Sequence, residues 1–180
     1  MKILILCSDN SCLSQMAQGW LQSFDKSLTV CSAGISPAIE VHPLAVQTLA
    51  SSGIDISHHK PEAVEEYIDE PWDYVITVSR DAEENCPAFT GKVRQFVTLQ
   101  WAVGYEENCP AFTGKVRNLI HSNFYNPARA KGTPESIANE FRRISNQIKM
   151  KMYDLYCDEI QNGGYGPTCT CGANRFCRCN

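Results

Sequence analysis

The sequence predicts an α/β fold with a mostly parallel sheet. Three observations carry this prediction: short apolar runs recur along the chain, amphipathic stretches separate them, and the composition is that of a globular domain. Of the 180 residues, 43% are hydrophobic and 20% are charged, which excludes a disordered or fibrous chain. Strands that alternate with helices form a parallel sheet with helices on its faces.

Each predicted strand is a continuous apolar run, which is typical of strands buried on both faces of a parallel sheet. The runs lie at residues 2–7, 28–33 and 73–78. The first run ends at a turn of Asp, Asn and Ser. This turn is the first place where polar side chains follow a buried strand.

Apolar residues at intervals of three and four predict the helices. They cover residues 12–24, 43–52, 61–68 and 134–156. Gly53 is expected to end the second helix in the left-handed conformation. Thr133 is expected to cap the last helix, with Pro134 as its first residue.

The charge balance argues against two classes of partner. There are 16 Lys and Arg residues against 20 Asp and Glu residues, a net charge of −4, and no basic block to bind nucleic acid or an anionic membrane. The apolar opening is too short to span a bilayer and does not have the order of a signal peptide. We therefore expect a cytoplasmic protein with no nucleic-acid or membrane partner.

Two features lie outside the α/β pattern. The twelve-residue sequence EENCPAFTGKVR occurs at 83–94 and again at 106–117, a period of 23 residues, which we interpret as a local duplication within 83–117 rather than a functional repeat. A Gly-rich break then precedes four cysteines near the C-terminus. We predict one domain over residues 1–157 and a flexible Cys-rich tail over 158–180.

The first strand ends on a candidate nucleophile, Cys7. A loop between a buried strand and a helix points successive backbone N–H groups at one centre, in front of the positive end of the helix, and so favours a phosphate-like anion. The same field would lower the pKa of a cysteine thiol there and activate it. Ser14, one turn into the helix, is placed to donate a hydrogen bond to the thiolate. The alternative is that Cys7 is a small buried hydrophobic residue.

The segment CSDNSCLSQMA, residues 7–17, resembles the anion-binding loop of the low-molecular-weight protein tyrosine phosphatase superfamily, and more closely that of the thioredoxin-coupled arsenate reductases. The resemblance continues through SAG at 32–34, GIDIS at 53–57, YVITV at 74–78, NCP at 85–87 and NPA at 126–128, and ends near residue 157. It implies a three-layer α/β/α fold. It also implies that the loop residues Ser8, Asp9, Asn10, Ser11, Cys12 and Leu13 hold the oxyanion.

The resemblance further implies a reaction. Cys7 attacks arsenate, a second cysteine after the third strand attacks Cys7 and releases arsenite, and a third cysteine resolves the disulfide, which thioredoxin then reduces. Cys86 occupies the resolving position, and the duplication repeats it as Cys109. This chemistry requires no cofactor. Arsenate or a phosphate-like oxyanion and thioredoxin are the expected partners.

Three positions depart from this pattern. Leu13 stands where the motif has an arginine that binds the oxyanion, Ser79 stands where the second cysteine belongs, and Asn126 matches the general-acid aspartate of the phosphatases. Losing one oxyanion donor typically costs about 3–4 kcal/mol of transition-state stabilisation, and an amide cannot act as the acid. Compensation by Arg80, Cys12 or Cys109 stays open. Two alternative functions also stay open. The second hypothesis is a non-catalytic binder of an oxyanion, arsenite or a metal, and the third is a tyrosine phosphatase.

The tail offers a second thiol site. Its four soft sulfur ligands suit Zn²⁺, Cu⁺ and thiophilic arsenite, although the Cys-x-Cys spacing is not that of a zinc ribbon. The candidate ligands are Cys169, Cys171, Cys177 and Cys179. The alternative is a tail whose thiols stay reduced and unliganded. The adjacent His58 and His59 are expected to point apart on the surface.

Overall fold

The sheet has four parallel strands, and this confirms the predicted fold class. The computed structural model describes residues 1–98 and 124–161. Its strands are β1 (Lys2–Cys7), β2 (Thr29–Gly34), β3 (Trp72–Thr77) and β4 (Val93–Thr98). Their order in the sheet is β2-β1-β3-β4, and every pairing is parallel.

The strand register brings the carboxyl ends of three strands to one edge. Cys7 is paired with Gly34 of β2, and Leu6 is paired with Thr77 of β3. Val78, just after β3, donates its backbone N–H to the Leu6 carbonyl at 2.9 Å. The segments that follow β1, β2 and β3 therefore start side by side, at the place where open α/β sheets bind their ligands.

The helices are α1 (Leu13–Phe24), α2 (Pro43–Ala50), α3 (Arg80–Glu84) and α4 (Pro134–Leu155), and a π-helical segment, Tyr156–Gln161, continues α4. The predicted cap of the last helix is confirmed, since Thr133 Oγ1 accepts the Ser136 backbone N–H at 3.2 Å. Gly53 has φ = 78° and follows α2 by a short turn, which confirms its left-handed conformation.

Side chains of β1 alternate between two apolar clusters on opposite faces of the sheet. Ile3 and Ile5 lie in the larger cluster, with residues of α1, α2 and α4. Leu4 and Leu6 lie in the smaller one, with the segment around Val64 and with α3. Helices therefore cover both faces, as the three-layer prediction requires, and every β1 residue from Ile3 to Cys7 is buried.

The predicted helix at 61–68 is wrong. The structure has only a 3₁₀ turn there, Val64–Glu66. The residues before the turn pair with the end of β2 instead: Gly34 donates its N–H to the Glu62 carbonyl at 2.8 Å and forms an isolated parallel bridge with Ala63. Pairing with a distant strand has overridden the local helical pattern.

Two elements were not predicted from the sequence, the five-residue helix α3 and the edge strand β4. Both overlap the first repeat copy, residues 83–94. At the other end of the domain, Ile160 is 7% exposed and belongs to the larger cluster. Packed structure therefore extends three residues beyond the predicted boundary at 157.

Two predicted features lie outside the described residues: the second repeat copy, 106–117, and the part of the tail from residue 162. Over the two described ranges, no helix is long and apolar enough to cross a membrane.

The α4 stripe allows a direct test of the larger cluster. Ile148 is fully buried on this helix, whereas Met150, two residues later, is 59% exposed. We expect Ile148→Ala to lower the free energy of unfolding by about 2–5 kcal/mol because it leaves a cavity. Met150→Ala, the control, should change it by less than about 0.5 kcal/mol. Urea denaturation measures both, and equal losses would contradict the packing described.

Candidate active site

Cys7 ends β1 with its sulfur enclosed by two hydrogen-bonding groups. The residue is 2% exposed. The hydroxyl oxygen of Ser14, in the first turn of α1, lies 2.8 Å from the Cys7 Sγ atom, so the contact predicted for Ser14 is present. The Asn10 backbone N–H donates to the same sulfur at 3.1 Å. At least one loop amide thus points at the nucleophile, as an anion-binding loop requires.

Asn10 is the fully buried residue around which the loop is built. Its φ of 52° is left-handed, a conformation that asparagine adopts more readily than most residues with a side chain. Its side-chain amide donates to Ser14 Oγ at 2.7 Å and to Ser32 Oγ at 2.9 Å. Its carbonyl oxygen accepts from Gln15 Nε2 at 3.0 Å and from the Glu62 backbone N–H at 2.9 Å. The side chain therefore uses all its donors and its acceptor to tie the loop to α1, β2 and the Glu62 segment.

The network continues from Asn10 to a histidine. Gln15 Oε1 lies 2.9 Å from His59 Nδ1, which completes a chain of contacts from His59 through Gln15, Asn10 and Ser14 to Cys7. His59 is half-buried, and burial is the main cause that lowers its pKa. His58 is exposed, as predicted, whereas His59 is half-buried. The prediction that the two side chains point apart is wrong, because their rings lie edge to face with centroids 4.7 Å apart. Because Gln15 and His59 are 44 positions apart in the sequence, no local pattern indicates the contact.

The prediction of a lowered pKa for Cys7 is wrong. Burial raises the pKa of this thiol, and it outweighs the hydrogen bonds from Ser14 and the Asn10 amide, which lower it. The Asp9 carboxylate raises the pKa further. A buried thiolate needs a compensating charge or several donors, and the loop has no cation because Leu13 occupies the arginine position.

The other loop residues predicted to hold the oxyanion differ in their surroundings. Ser8 Oγ lies 3.2 Å from Ser79 Oγ, across from the end of β3. Ser11 is buried, and its backbone N–H and hydroxyl both donate to Asp9 Oδ1. Cys12 is buried, and burial raises the pKa of its thiol to about 12. Leu13 is 4% exposed and packs in the larger cluster, so its side chain is part of the core.

Residues after β2 hold the backbone of the loop. Ser36 N–H donates to the Ser8 carbonyl and Ala38 N–H to the Asp9 carbonyl, both at 2.8 Å. A Cβ atom on Gly34 would lie 3.0 Å from the Asn10 backbone nitrogen and from the Asp9 carbonyl carbon. Glycine at position 34 therefore lets the loop approach β2 closely.

The residues predicted for the later relay steps lie around α3. Cys86 is half-buried and packs against the smaller cluster, on the opposite face of the sheet from the cluster that contains Cys7. Burial raises the pKa of its thiol to about 11. Ser79 caps α3 by accepting the Ala82 N–H at 3.3 Å. The structure thus places Ser79, not Cys86, beside the loop. Cys109 lies outside the described residues.

Arg80, the candidate for replacing the missing arginine, and Asn126, at the general-acid position, each contact a residue outside the loop. Arg80 Nε forms an exposed ion pair with Glu84 Oε1 at 2.6 Å. Asn126 Oδ1 accepts the Ala128 N–H at 3.0 Å and caps a single 3₁₀ turn, Pro127–Arg129. Within residues 1–98 and 124–161, no group of three or more His, Cys, Asp or Glu side chains could hold a metal ion. The predicted metal ligands Cys169, Cys171, Cys177 and Cys179 fall outside those ranges.

Comparisons with known proteins agree with the fold and with the loop. Residues 2–109 match the family described as low molecular weight phosphotyrosine protein phosphatase. An arsenate reductase of Staphylococcus aureus (strain bovine RF122 / ET3-1) is 32% identical over 149 residues, which cover 82% of this chain and 90% of the relative. An arsenate reductase of Bacillus subtilis (strain 168) is 32% identical over 154 residues, covering 85% and 93%.

Solved structures with the same fold include two of different activity. "An arsenate reductase in the phosphate binding state" aligns with a TM-score of 0.60 at 22% identity, covering 87% of this chain and 97% of that one. A low molecular weight protein tyrosine phosphatase from T. tengcongensis aligns with a TM-score of 0.62 at 20% identity, covering 88% and 99%. These similarities confirm the predicted three-layer architecture.

The contact between Ser14 and Cys7 has a measurable consequence. Since this hydrogen bond lowers the pKa of Cys7 against the effect of burial, Ser14→Ala should raise that pKa further. At a fixed pH near 8 the thiolate fraction, and with it the rate of alkylation, should fall about tenfold. Iodoacetamide labelling resolved by peptide mass spectrometry measures Cys7 alone.

The matched control is Ser23→Ala, which removes an α1 hydroxyl that bonds only to the Trp20 carbonyl among the contacts described. It should leave the Cys7 rate unchanged. The labelling rate of Cys7 in the unmodified protein should also keep rising with pH above the pH range in which an ordinary cysteine thiol ionises, because the pKa of Cys7 is raised. A plateau below that range would contradict this account.

Proposed function

This chain belongs to the low molecular weight phosphotyrosine protein phosphatase family, and from that premise we propose that it is an arsenate reductase-like enzyme, which reduces arsenate to arsenite through a cysteine thiol–disulfide relay that starts at Cys7. The observation that carries the proposal is the Cys7 sulfur at the end of β1, bonded to Ser14 and to the Asn10 amide. The relatives named arsenate reductase, 32% identical over most of the chain, support this choice within the family.

The first step forms a bond between sulfur and arsenic. The Cys7 thiolate attacks arsenate, and one arsenate oxygen leaves as water after taking up two protons. The Ser14 hydroxyl and the Asn10 N–H lie within 3.1 Å of the sulfur, so they stabilise the thiolate before the attack. The other loop amides, together with the positive end of α1, would hold the remaining oxygens.

The second step supplies the electrons. A second thiolate attacks the Cys7 sulfur, the S–As bond breaks, and its electron pair remains on arsenic, which is reduced from As(V) to As(III) and leaves as arsenite. The two cysteines form a disulfide and have together lost two electrons. An alcohol cannot take this role, which excludes Ser79.

The family resemblance gives Cys86 the resolving role, one step later. Because Ser79 leaves no thiol at the second position, we propose that Cys86, among the described cysteines, supplies the second thiol itself. Cys86 packs against the cluster on the opposite face of the sheet from Cys7, so the segment after β3 must rearrange before the two sulfurs meet. That segment begins with α3, which is five residues long, and a helix this short is only marginally stable by itself.

Thioredoxin is the proposed reductant of the resulting disulfide, and a reducing cytoplasm is the proposed location. The five cysteines in the described ranges are all free, which is the state that the relay needs before each turnover. Outside a reducing compartment a nucleophilic thiol of this kind would be lost to oxidation.

The second candidate function is a binder of arsenate, phosphate or arsenite without turnover. One observation favours it: the three departing residues have structural roles, Leu13 in the core, Ser79 as the cap of α3 and Asn126 as the cap of a 3₁₀ turn. A tyrosine phosphatase is third, since that reaction uses both the arginine and the aspartate that this chain lacks.

The reductase proposal predicts arsenite release that depends on Cys7. Protein, arsenate, thioredoxin, thioredoxin reductase and NADPH are combined, and arsenite is measured by chromatography with arsenic detection. We expect slow turnover, about a thousandfold below that of a site with the guanidinium, and none above background for Cys7→Ala. Cys31→Ala, which removes a half-buried thiol on β2, is the control and should keep the activity.

Two results would contradict the proposal. Arsenite release that survives Cys7→Ala would exclude this nucleophile. Anion binding by calorimetry without any arsenite release would instead establish the binder.

Ser79→Cys separates the binding step from the redox step. It should raise the rate of arsenite release because it adds a thiol. Anion affinity should stay within about twofold, because the new side chain adds no anion donor.

A further inference from the structure

The anion-binding loop contains an anion of its own. Between Cys7 and Ser14 the sequence has one charged side chain, the carboxylate of Asp9, and neither lysine nor arginine. A loop that is to hold an oxyanion without a cation depends on neutral N–H and O–H donors. A fixed negative charge among those donors therefore opposes the ligand.

The Asp9 carboxylate takes up donors of the loop itself. Its Oδ1 atom accepts the Ser11 backbone N–H at 3.1 Å and the Ser11 hydroxyl at 2.9 Å. Asp9 is half-buried, and the Ala38 N–H fixes its backbone carbonyl at 2.8 Å. The two hydrogen bonds from Ser11 thus fix the position of the carboxylate within the loop.

The field of Asp9 reaches the centre of the site. It raises the pKa of both loop thiols, Cys7 and Cys12. The backbone N–H of His42 donates to the Ser11 carbonyl at 2.9 Å, and the Nδ1 atom of its ring accepts the Leu44 backbone N–H at 3.2 Å. Burial, the largest cause, lowers the pKa of His42, whereas the charge of Asp9 raises it; with Nδ1 used as an acceptor, the ring favours the neutral form and offers little charge against the carboxylate.

We propose that Asp9 is a specificity-determining residue, which makes the loop favour singly charged or neutral tetrahedral ligands over doubly charged ones. The proposal rests on the proposed function, in that it takes this loop as the oxyanion site. For arsenate it means that the dihydrogen monoanion is the form bound best. The free energy of Coulomb repulsion is proportional to the charge of the ligand, so Asp9 repels a dianion with twice the free energy with which it repels a monoanion. The factor by which Asp9 weakens the affinity for a dianion is therefore the square of the factor for a monoanion.

This square relation gives a test with two matched probes. Sulfate is a dianion and methanesulfonate a monoanion across the neutral range, and both present tetrahedral oxygens. Asp9→Asn keeps the size of the side chain and an oxygen that can accept from Ser11, and removes only the charge. We expect its affinity to rise about threefold for methanesulfonate and about tenfold for sulfate by calorimetry at low salt.

The control is Asp25→Asn. Asp25 accepts the Ser27 backbone N–H at 2.8 Å in the same i, i+2 arrangement, but it lies at the opposite end of α1. It should change neither affinity. Protection of Cys7 from iodoacetamide by each anion, mapped by mass spectrometry, verifies that the anions bind at the loop.

The outcomes separate the two proposals. A larger gain for sulfate than for methanesulfonate, confined to Asp9→Asn, supports the charge selection. Equal gains, or none, with binding retained by the unmodified protein, overturn the selection and leave the oxyanion site standing. If neither anion binds either protein nor protects Cys7, the selection and the oxyanion site of the proposed function are both overturned.

Discussion

The structure of the site depends on one buried side chain, the amide of Asn10. Its hydrogen bonds join the loop after β1 to α1, to β2 and to the backbone at Glu62. The left-handed conformation of Asn10 also turns its backbone N–H toward the Cys7 sulfur. An unsatisfied buried amide costs about 1–3 kcal/mol for each polar group. The four bonds therefore specify one loop conformation, and the position of the nucleophile follows from it.

Burial gives the nucleophile its position and opposes its ionisation. Cys7 is enclosed by core residues, which raises the pKa of its thiol, and the loop offers donors but no positive charge. Leu13 adds apolar volume to the core where a guanidinium would stabilise both the thiolate and the oxyanion. Leucine at position 13 thus stabilises the core but leaves the thiolate and the oxyanion without a positive charge. The negative charge of Asp9 destabilises the Cys7 thiolate further.

Local patterns in the sequence predicted those parts of the fold that depend on neighbouring residues. Strand β1, the loop, α1 and α4 follow from apolar periodicity and caps. The contact between Cys7, at the end of β1, and Ser14, in the first turn of α1, spans only seven positions. The rest depends on residues far apart in sequence: the Glu62 amide on Asn10, His59 on Gln15 and Ser79 beside Ser8. The 3₁₀ turn in place of the helix at 61–68 has the same origin, since a bridge to Gly34 decides it. The raised pKa of Cys7 also depends on distant residues: the helix dipole and the loop amides are local, whereas burial, which outweighs them, comes from the whole fold.

A single turnover without any reductant tests the central claim most directly. The reduced protein is mixed with excess arsenate, arsenite is counted per chain, and disulfides are mapped by peptide mass spectrometry. The relay predicts at most one arsenite per chain, with the loss of two thiols and a disulfide between Cys7 and Cys86. Arsenate bound without arsenite, or arsenite formed while Cys7 stays a free thiol, would contradict it.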